Sequence, residues 1–225
     1  MKFRYKRKIW YGCDVVRIMH ISCQYGEKMA GQLHEQMLRD GEDSVVYYGY
    51  GELPNIPKTF RFNSEIELKL YDLLARLTGT RGCFARYPTF LLKRRIREFR
   101  PELIHIHGLS GNYIHYYKLL TFLKDRKYQV VLTAEDSFLL TGAADSRKKE
   151  AVKSGKVVGN QGLFDGFDRL VIAVPDQALL EQFETSYLKS REIRLITSAE
   201  GYRALYQNIR QKTAEQYYQK MYAGD

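Results

Sequence analysis

Six short runs of β-branched and aliphatic residues recur along this chain, and each gives way to a segment with a different period. They are Val15 to Ser22 (VVRIMHIS), Ser44 to Tyr48 (SVVYY), Leu103 to His107 (LIHIH), Gln129 to Thr133 (QVVLT), Leu170 to Val174 (LVIAV) and Ile193 to Thr197 (IRLIT). Runs this short and apolar, bounded by turn residues, read as strands. After the first, Met29, Leu33, Met37 and Leu38 fall on one helical face, and Asp40-Gly41 ends that helix where a glycine C-cap would sit. A strand, a helix and a strand joined by such short turns form a right-handed crossover with parallel strands. Repeated along the chain, the alternation predicts an α/β domain built on a doubly wound parallel sheet with helices on both faces.

The segments between the runs fill in this plan. From Gly49 to Asn63 no period is sustained, so a loop is expected. Ser64 opens the next helix, with Glu67 completing a capping box and Ile66, Leu70, Leu73, Leu74 and Leu77 forming an apolar stripe. Pro88 to Phe99 turns Leu91, Leu92, Ile96 and Phe99 inward and its basic residues outward, and Pro101 stops it; further helices are expected at Tyr113 to Leu123 and Gln177 to Thr185. The polar stretch Thr141 to Phe167, with a weak helical pattern around Asp145 to Lys153, is expected to be a flexible excursion. The last segment, Ala199 to Tyr222, is a long helix on which Leu205, Ile209, Thr213, Gln216, Tyr217 and Met221 share a face that needs a packing partner. The resulting organisation is a basic extension over 1–14, a domain over 15–198 with the excursion at 142–167, and a C-terminal helix over 199–225.

Charge and cysteine usage restrict the function classes. Lysine and arginine total 36 against 26 acidic residues, a net charge of +10, which favours an anionic partner. Nucleic acid, an anionic membrane surface and a phosphate-bearing substrate all satisfy that, and solvated helix faces account for the charge equally well. The basic residues are scattered over helix faces (Lys93, Arg94, Arg95, Arg97; Arg147, Lys148, Lys149) without an aromatic-interleaved motif, so nucleic acid is not an expected partner. Cys13, Cys23 and Cys83 are odd in number and widely spaced, which fits reduced thiols and a cytoplasmic location. No apolar run approaches the roughly 20 residues of a membrane span, and no apolar segment follows the basic N-terminus to make an export signal.

In an open parallel sheet, ligands bind at the carboxyl ends of the strands, here the loops after Ser22, His107, Thr133 and Val174. Gly26, Glu27 and Lys28 lie between a strand and a helix start, where backbone amides and the lysine suit a phosphate, although a plain turn explains the glycine equally well. His105 and His107 point to the same face of their strand; a metal pair would need a third ligand, none is near in sequence, and packed or hydrogen-bonded imidazoles are the simpler reading. His20 receives no role. Neither a metal site nor a cofactor is expected. Glu135 and Asp136 follow the fourth strand and precede Phe138, Leu139 and Leu140, an apolar setting suited to acid/base work, while Asp136 could instead brace the loop. No nucleophile elbow, Walker loop, dinucleotide fingerprint or cysteine–histidine signature is present.

Three stretches, RIMHISCQYG with GQLHEQMLRDGEDSVVYYGYG, IREFRPELIHIHGLSGNYIHYY, and VVLTAEDSFLLTG, resemble in order and spacing the family 4 GT-B glycosyltransferases of bacterial polysaccharide gene clusters, over Arg17 to Gly142. The resemblance implies a Rossmann-like N-terminal domain that binds the acceptor and faces a nucleotide-sugar. It departs from the family at three points: Glu135 stands where the family has histidine, Gly108 where it tends to have asparagine, and a lysine-rich insertion follows Thr141-Gly142 where a cysteine-rich one is common. A second Rossmann domain is not expected from the strand runs, since none is seen after Thr197, and the final helix resembles the one with which such enzymes cross back onto their N-terminal domain. The expectation is a glycosyltransferase-like protein of surface polysaccharide biosynthesis that keeps the acceptor side and is inactive alone. The alternative is a non-catalytic binding or scaffold subunit docking on a membrane-bound transferase complex.

The catalytic candidates are then Glu135 and Asp136, and the substrate- or phosphate-binding candidates are Gly26, Glu27, Lys28, His107, Asn112, Tyr113, Thr141 and Gly142. The partners this implies are a nucleotide-sugar or lipid-linked acceptor, a partner chain supplying the donor domain, and a peripheral contact at the inner face of the cell membrane.

Overall fold

The computed structural model describes residues 16–25, 29–52, 54–79, 81–141 and 161–222. Along the chain run β1 (Arg17–Gln24), α1 (Met29–Arg39), β2 (Asp43–Tyr50), β3 (Thr59–Arg61), α2 (Glu65–Thr78), α3 (Arg86–Phe99), β4 (Leu103–His107) and α4 (Tyr116–Asp125). They are followed by β5 (Gln129–Thr133), α5 (Phe138–Thr141), α6 (Gln161–Phe164), β6 (Leu170–Val174), α7 (Gln177–Glu184), β7 (Glu192–Leu195) and α8 (Ala199–Tyr222). The strands form one seven-stranded sheet in the order β3-β2-β1-β4-β5-β6-β7, and every pairing is parallel. The order reverses between β1 and β4, which is the Rossmann-like arrangement.

Side-chain parity divides the core. Met19, Ile21, Ile104, Ile106, Val130, Leu132, Ile172 and Val174 face one way, onto Leu92 and Ile96 of α3, Leu119, Leu120 and Leu123 of α4, and Phe183 of α7. Their alternates Ile18, Leu103, Val131, Val171 and Ala173 face Leu33 and Met37 of α1 and Tyr202, Leu205, Tyr206 and Ile209 of α8. Toward the carboxyl ends this second face turns polar, with His20, Ser22, His105, His107 and Thr133 all buried.

Local signals set these helix ends. The Ser64–Glu67 capping box is formed in both directions and Gly79 closes α2 at φ 71°; such a cap contributes about 1 kcal/mol. Asp176 caps α7 through Leu179 N–H at 2.8 Å.

Four expectations change. The loop over Gly49 to Asn63 contains a further edge strand, β3, too short for a period-two pattern to show. The apolar stripe of α2 does not enter the core: Ile66, Leu70, Leu73 and Leu77 are 80%, 50%, 53% and 74% exposed, and Ala75 on the opposite side is the buried residue of this helix. On α8 the buried face is Tyr202, Leu205, Tyr206 and Ile209; Thr213, Gln216 and Met221 are exposed, and the side chain of Tyr217 lies outside the described residues. The expected excursion ends in the core, because Leu163, Phe164 and Phe167 are each at most 2% exposed; its earlier part, with the helical pattern at Asp145 to Lys153, lies outside the described residues.

Candidate functional site

The strand order reverses between β1 and β4, and a doubly wound sheet receives its ligands in the crevice outside the carboxyl ends of the strands at that point. Its floor is the turn after β4. Gly108 adopts φ +72°, and a β-carbon there would come 3.0 Å from Glu135 Oε2, so the exposed Glu135 carboxylate lies directly over this turn. Gly111 packs against β1 so closely that a β-carbon would meet Cys23 Sγ at 2.7 Å. Tyr50, at the end of β2 and 38% exposed, stands beside Cys23, and that thiol, followed by burial, raises its phenol pKa above the ordinary value. Cys23, Tyr50, Gly108, Gly111 and Glu135 therefore share one neighbourhood. Cys23 and Tyr50 were not singled out from the sequence; the end of each adjacent strand is the signal that could have found them.

The other candidates are placed as follows. Asp136 accepts a hydrogen bond from Phe138 N–H at 2.9 Å, so its carboxylate starts α5 and braces the loop. Asn112 accepts from Gly82 N–H at 2.8 Å and donates to Asp72 at 2.6 Å, tying the β4 turn to α2 and the α2–α3 link. Tyr113 is fully buried, donates to Gly108 C=O at 2.7 Å and packs against Gly49; burial pushes its phenol pKa well up. Its role is to hold the turn in position. Thr141 ends α5, while Gly142 and the trio Gly26, Glu27 and Lys28 lie outside the described residues.

His107 belongs to a buried layer beneath the crevice. The parallel register sets His20 beside His105 and Ser22 beside His107, and equal parity turns all three imidazoles to the face covered by α8. His20 Nδ1 and His107 Nε2 are 3.0 Å apart. His105 Nδ1 meets Tyr206 Oη, and its Nε2 is 2.8 Å from Thr133 Oγ1, which in turn lies 2.7 Å from Tyr202 Oη. Burial, and then the neighbouring His107, hold His20 and His105 well below the usual imidazole pKa, so both are neutral. The missing third ligand of the sequence reading is present after all: His20 brings one nitrogen of each ring within 4.8 Å of the others. It was invisible along the chain because it lies on the neighbouring strand.

A cavity of about 330 Å³ lies elsewhere, at the amino ends of β5, β6 and β7 among Gln129, Arg169, Arg191, Glu192 and Lys212. It is open and polar and shares no residue with the crevice. Among the described residues no helix is long and apolar enough to cross a membrane. No family model matches the chain and no curated protein matches it, so the site rests on its own geometry.

Proposed function

We propose that this chain is the acceptor-side lobe of a glycosyltransferase-like system of surface polysaccharide assembly, and that its crevice at the ends of β1 and β4 receives a sugar-bearing, phosphate-linked acceptor. The observation that carries the reading is Glu135, an exposed carboxylate held over the Gly108 turn at the point where the strand order reverses. A carboxylate there can accept a hydrogen bond from an acceptor hydroxyl and take its proton as a donor sugar arrives. Tyr50 offers a phenol to the same ligand, and the net charge of +10 draws an anionic one. Sugar transfer needs a second lobe to clamp the nucleotide-sugar, and the described residues build one sheet and one crevice.

Calorimetric titration of the chain with a lipid-linked saccharide and, separately, with nucleotide-sugars tests this. Saccharide affinity is expected to fall about tenfold in Glu135→Ala, the loss of one charge-assisted hydrogen bond of roughly 1.5 kcal/mol. No transfer is expected from the chain alone. Turnover by the isolated chain would refute the one-lobe reading, and failure of every saccharide to bind would refute the acceptor reading.

A specific observation favours a second reading, docking on an anionic membrane surface. The stripe Ile66, Leu70, Leu73 and Leu77 faces solvent, and Lys69 and Arg76, each one residue before a stripe leucine, flank it. On α3, exposed Tyr87 and Phe90 sit among Arg86, Arg94 and Arg97. Apolar residues rimmed by cations, with aromatics beside them, suit the headgroup region. Docking of this kind would bring the crevice to a lipid-linked acceptor.

A further inference from the structure

We propose that His20, His105 and His107 form a metal site that takes a zinc-class divalent ion and clamps α8 to the sheet. Three neutral imidazoles are the ligand set such ions prefer, and each must be deprotonated at the coordinating nitrogen. Here three converge from two adjacent strands, all at most 2% exposed, with one nitrogen of each within 4.8 Å of the others. Tetrahedral bonds of about 2.1 Å place ligand nitrogens roughly 3.4 Å apart. The His20–His107 pair, at 3.0 Å, is already near that spacing. The third nitrogen, within 4.8 Å of the others, has to move in on binding.

Two further observations point the same way. His20 Nε2 is buried and has no hydrogen-bond partner among the described residues, so this ring can turn to present either nitrogen at the loss of no hydrogen bond but the one to His107. Thr133 Oγ1 is bonded to both His105 Nε2 and Tyr202 Oη, so His105 can release it without leaving the hydroxyl alone. The remaining contact of His105, to Tyr206, is the kind of outer bond that orients a metal-bound imidazole. On binding, the proton between His20 and His107 moves to the other nitrogen of its own ring, and both rings stay neutral. Tyr202 and Tyr206 come from α8, so the ion would join β1, β4 and the C-terminal helix in one unit.

Because the cluster is buried, loading is through refolding. The full chain is unfolded in denaturant, refolded with Zn²⁺, with Co²⁺ or with chelator, desalted, and assayed for metal by elemental analysis. The expected result is one metal per chain, visible d–d absorption of tetrahedral Co²⁺, and a Tm raised by about 5–10 °C at free metal a hundredfold above Kd. His20→Gln and His107→Gln should each cut bound metal at least tenfold while matching the wild-type circular dichroism in chelator. Wild-type chain that refolds without retaining metal, and melts alike in Zn²⁺ and chelator, overturns the proposal whether or not the variants fold. So does a folded His20→Gln variant that holds metal as well as wild type.

Discussion

The carboxylate of Glu135 lies against the Cα of Gly108, so that a β-carbon at residue 108 would fall 3.0 Å from Oε2 and 3.2 Å from Cδ. Gly108 also sits at φ +72°, a conformation that side-chain-bearing residues reach at a cost. The relative sizes of these two effects can be separated. Glu135 is exposed and can swing aside cheaply, so the backbone effect should dominate. Gly108→Ala should lose about 1–2 kcal/mol in denaturant melts, and adding Glu135→Ala should recover less than about 0.5 kcal/mol. Full rescue by the second substitution would show that the steric contact, not φ, restricts residue 108.

Thr133 is the joint between the imidazole layer and α8, with its hydroxyl bonded to His105 and Tyr202 at once. Thr133→Val keeps the shape and takes away this partner from two buried polar groups. At about 1–3 kcal/mol for each orphaned group, the loss should be about 2–6 kcal/mol. Tyr202→Phe added to that variant removes one of the orphans and should cost nothing more. A stability loss under about 0.5 kcal/mol for Thr133→Val, within the usual range of surface changes, would sink this account of the layer.

How much of this was legible in the sequence depended on the range of each interaction. The strand runs, the Ser64–Glu67 cap and the side-chain alternation of Leu103 to His107 are set by neighbours in the chain, and each is found where the pattern put it. The stripe of α2 shows the limit of such reasoning. Its spacing is that of a core helix, yet the helix docks through Ala75 and partly buried Leu68, and the sequence carries no mark of which side meets the sheet. The histidine layer failed differently: β1 and β4 are separated by two intervening strands in sequence and adjacent in space, so pairing His20 with His105 required the sheet order. The expected face of α8 runs from Leu205 toward Met221 and so misses Tyr202 and Tyr206, because the helix meets the sheet through its first turns, where the covered layer is polar and takes hydroxyls.

His115 gives the fold an acid sensitivity of known sign. Its Nδ1 accepts from Lys118 N–H at 3.5 Å at the start of α4, which requires the neutral ring. Burial, followed by the charges of Lys118 and Arg86, lowers its pKa to about 4. The unfolded chain, with an imidazole near pH 6.5, therefore binds more protons than the folded one between these values. Stability contributed here is complete above about pH 6.5 and is lost as the pH falls toward 4. His115→Asn keeps an acceptor for the cap and removes the titration. The slope of unfolding free energy against pH over this window should drop by up to one proton equivalent, and an unchanged slope would exclude His115 as a source.

The exposed stripe of α2 makes the docking reading separable from any effect on folding. Leucines buried in a core cost about 2–5 kcal/mol when truncated, whereas Leu73 and Leu77, at 53% and 74% exposed, lie outside the core clusters of the described residues. Leu73→Glu with Leu77→Glu should therefore shift stability by no more than about 0.5 kcal/mol per site. The same pair places two carboxylates against the membrane, so sedimentation with phosphatidylglycerol vesicles should disappear while phosphatidylcholine vesicles remain unbound by either protein. Binding should also weaken as salt rises, because the contribution of Lys69 and Arg76 is screened over about 10 Å at 0.1 M. If the double variant instead unfolds, the stripe is covered within the molecule; if it still sediments with anionic vesicles, the membrane contact lies elsewhere on the basic surface.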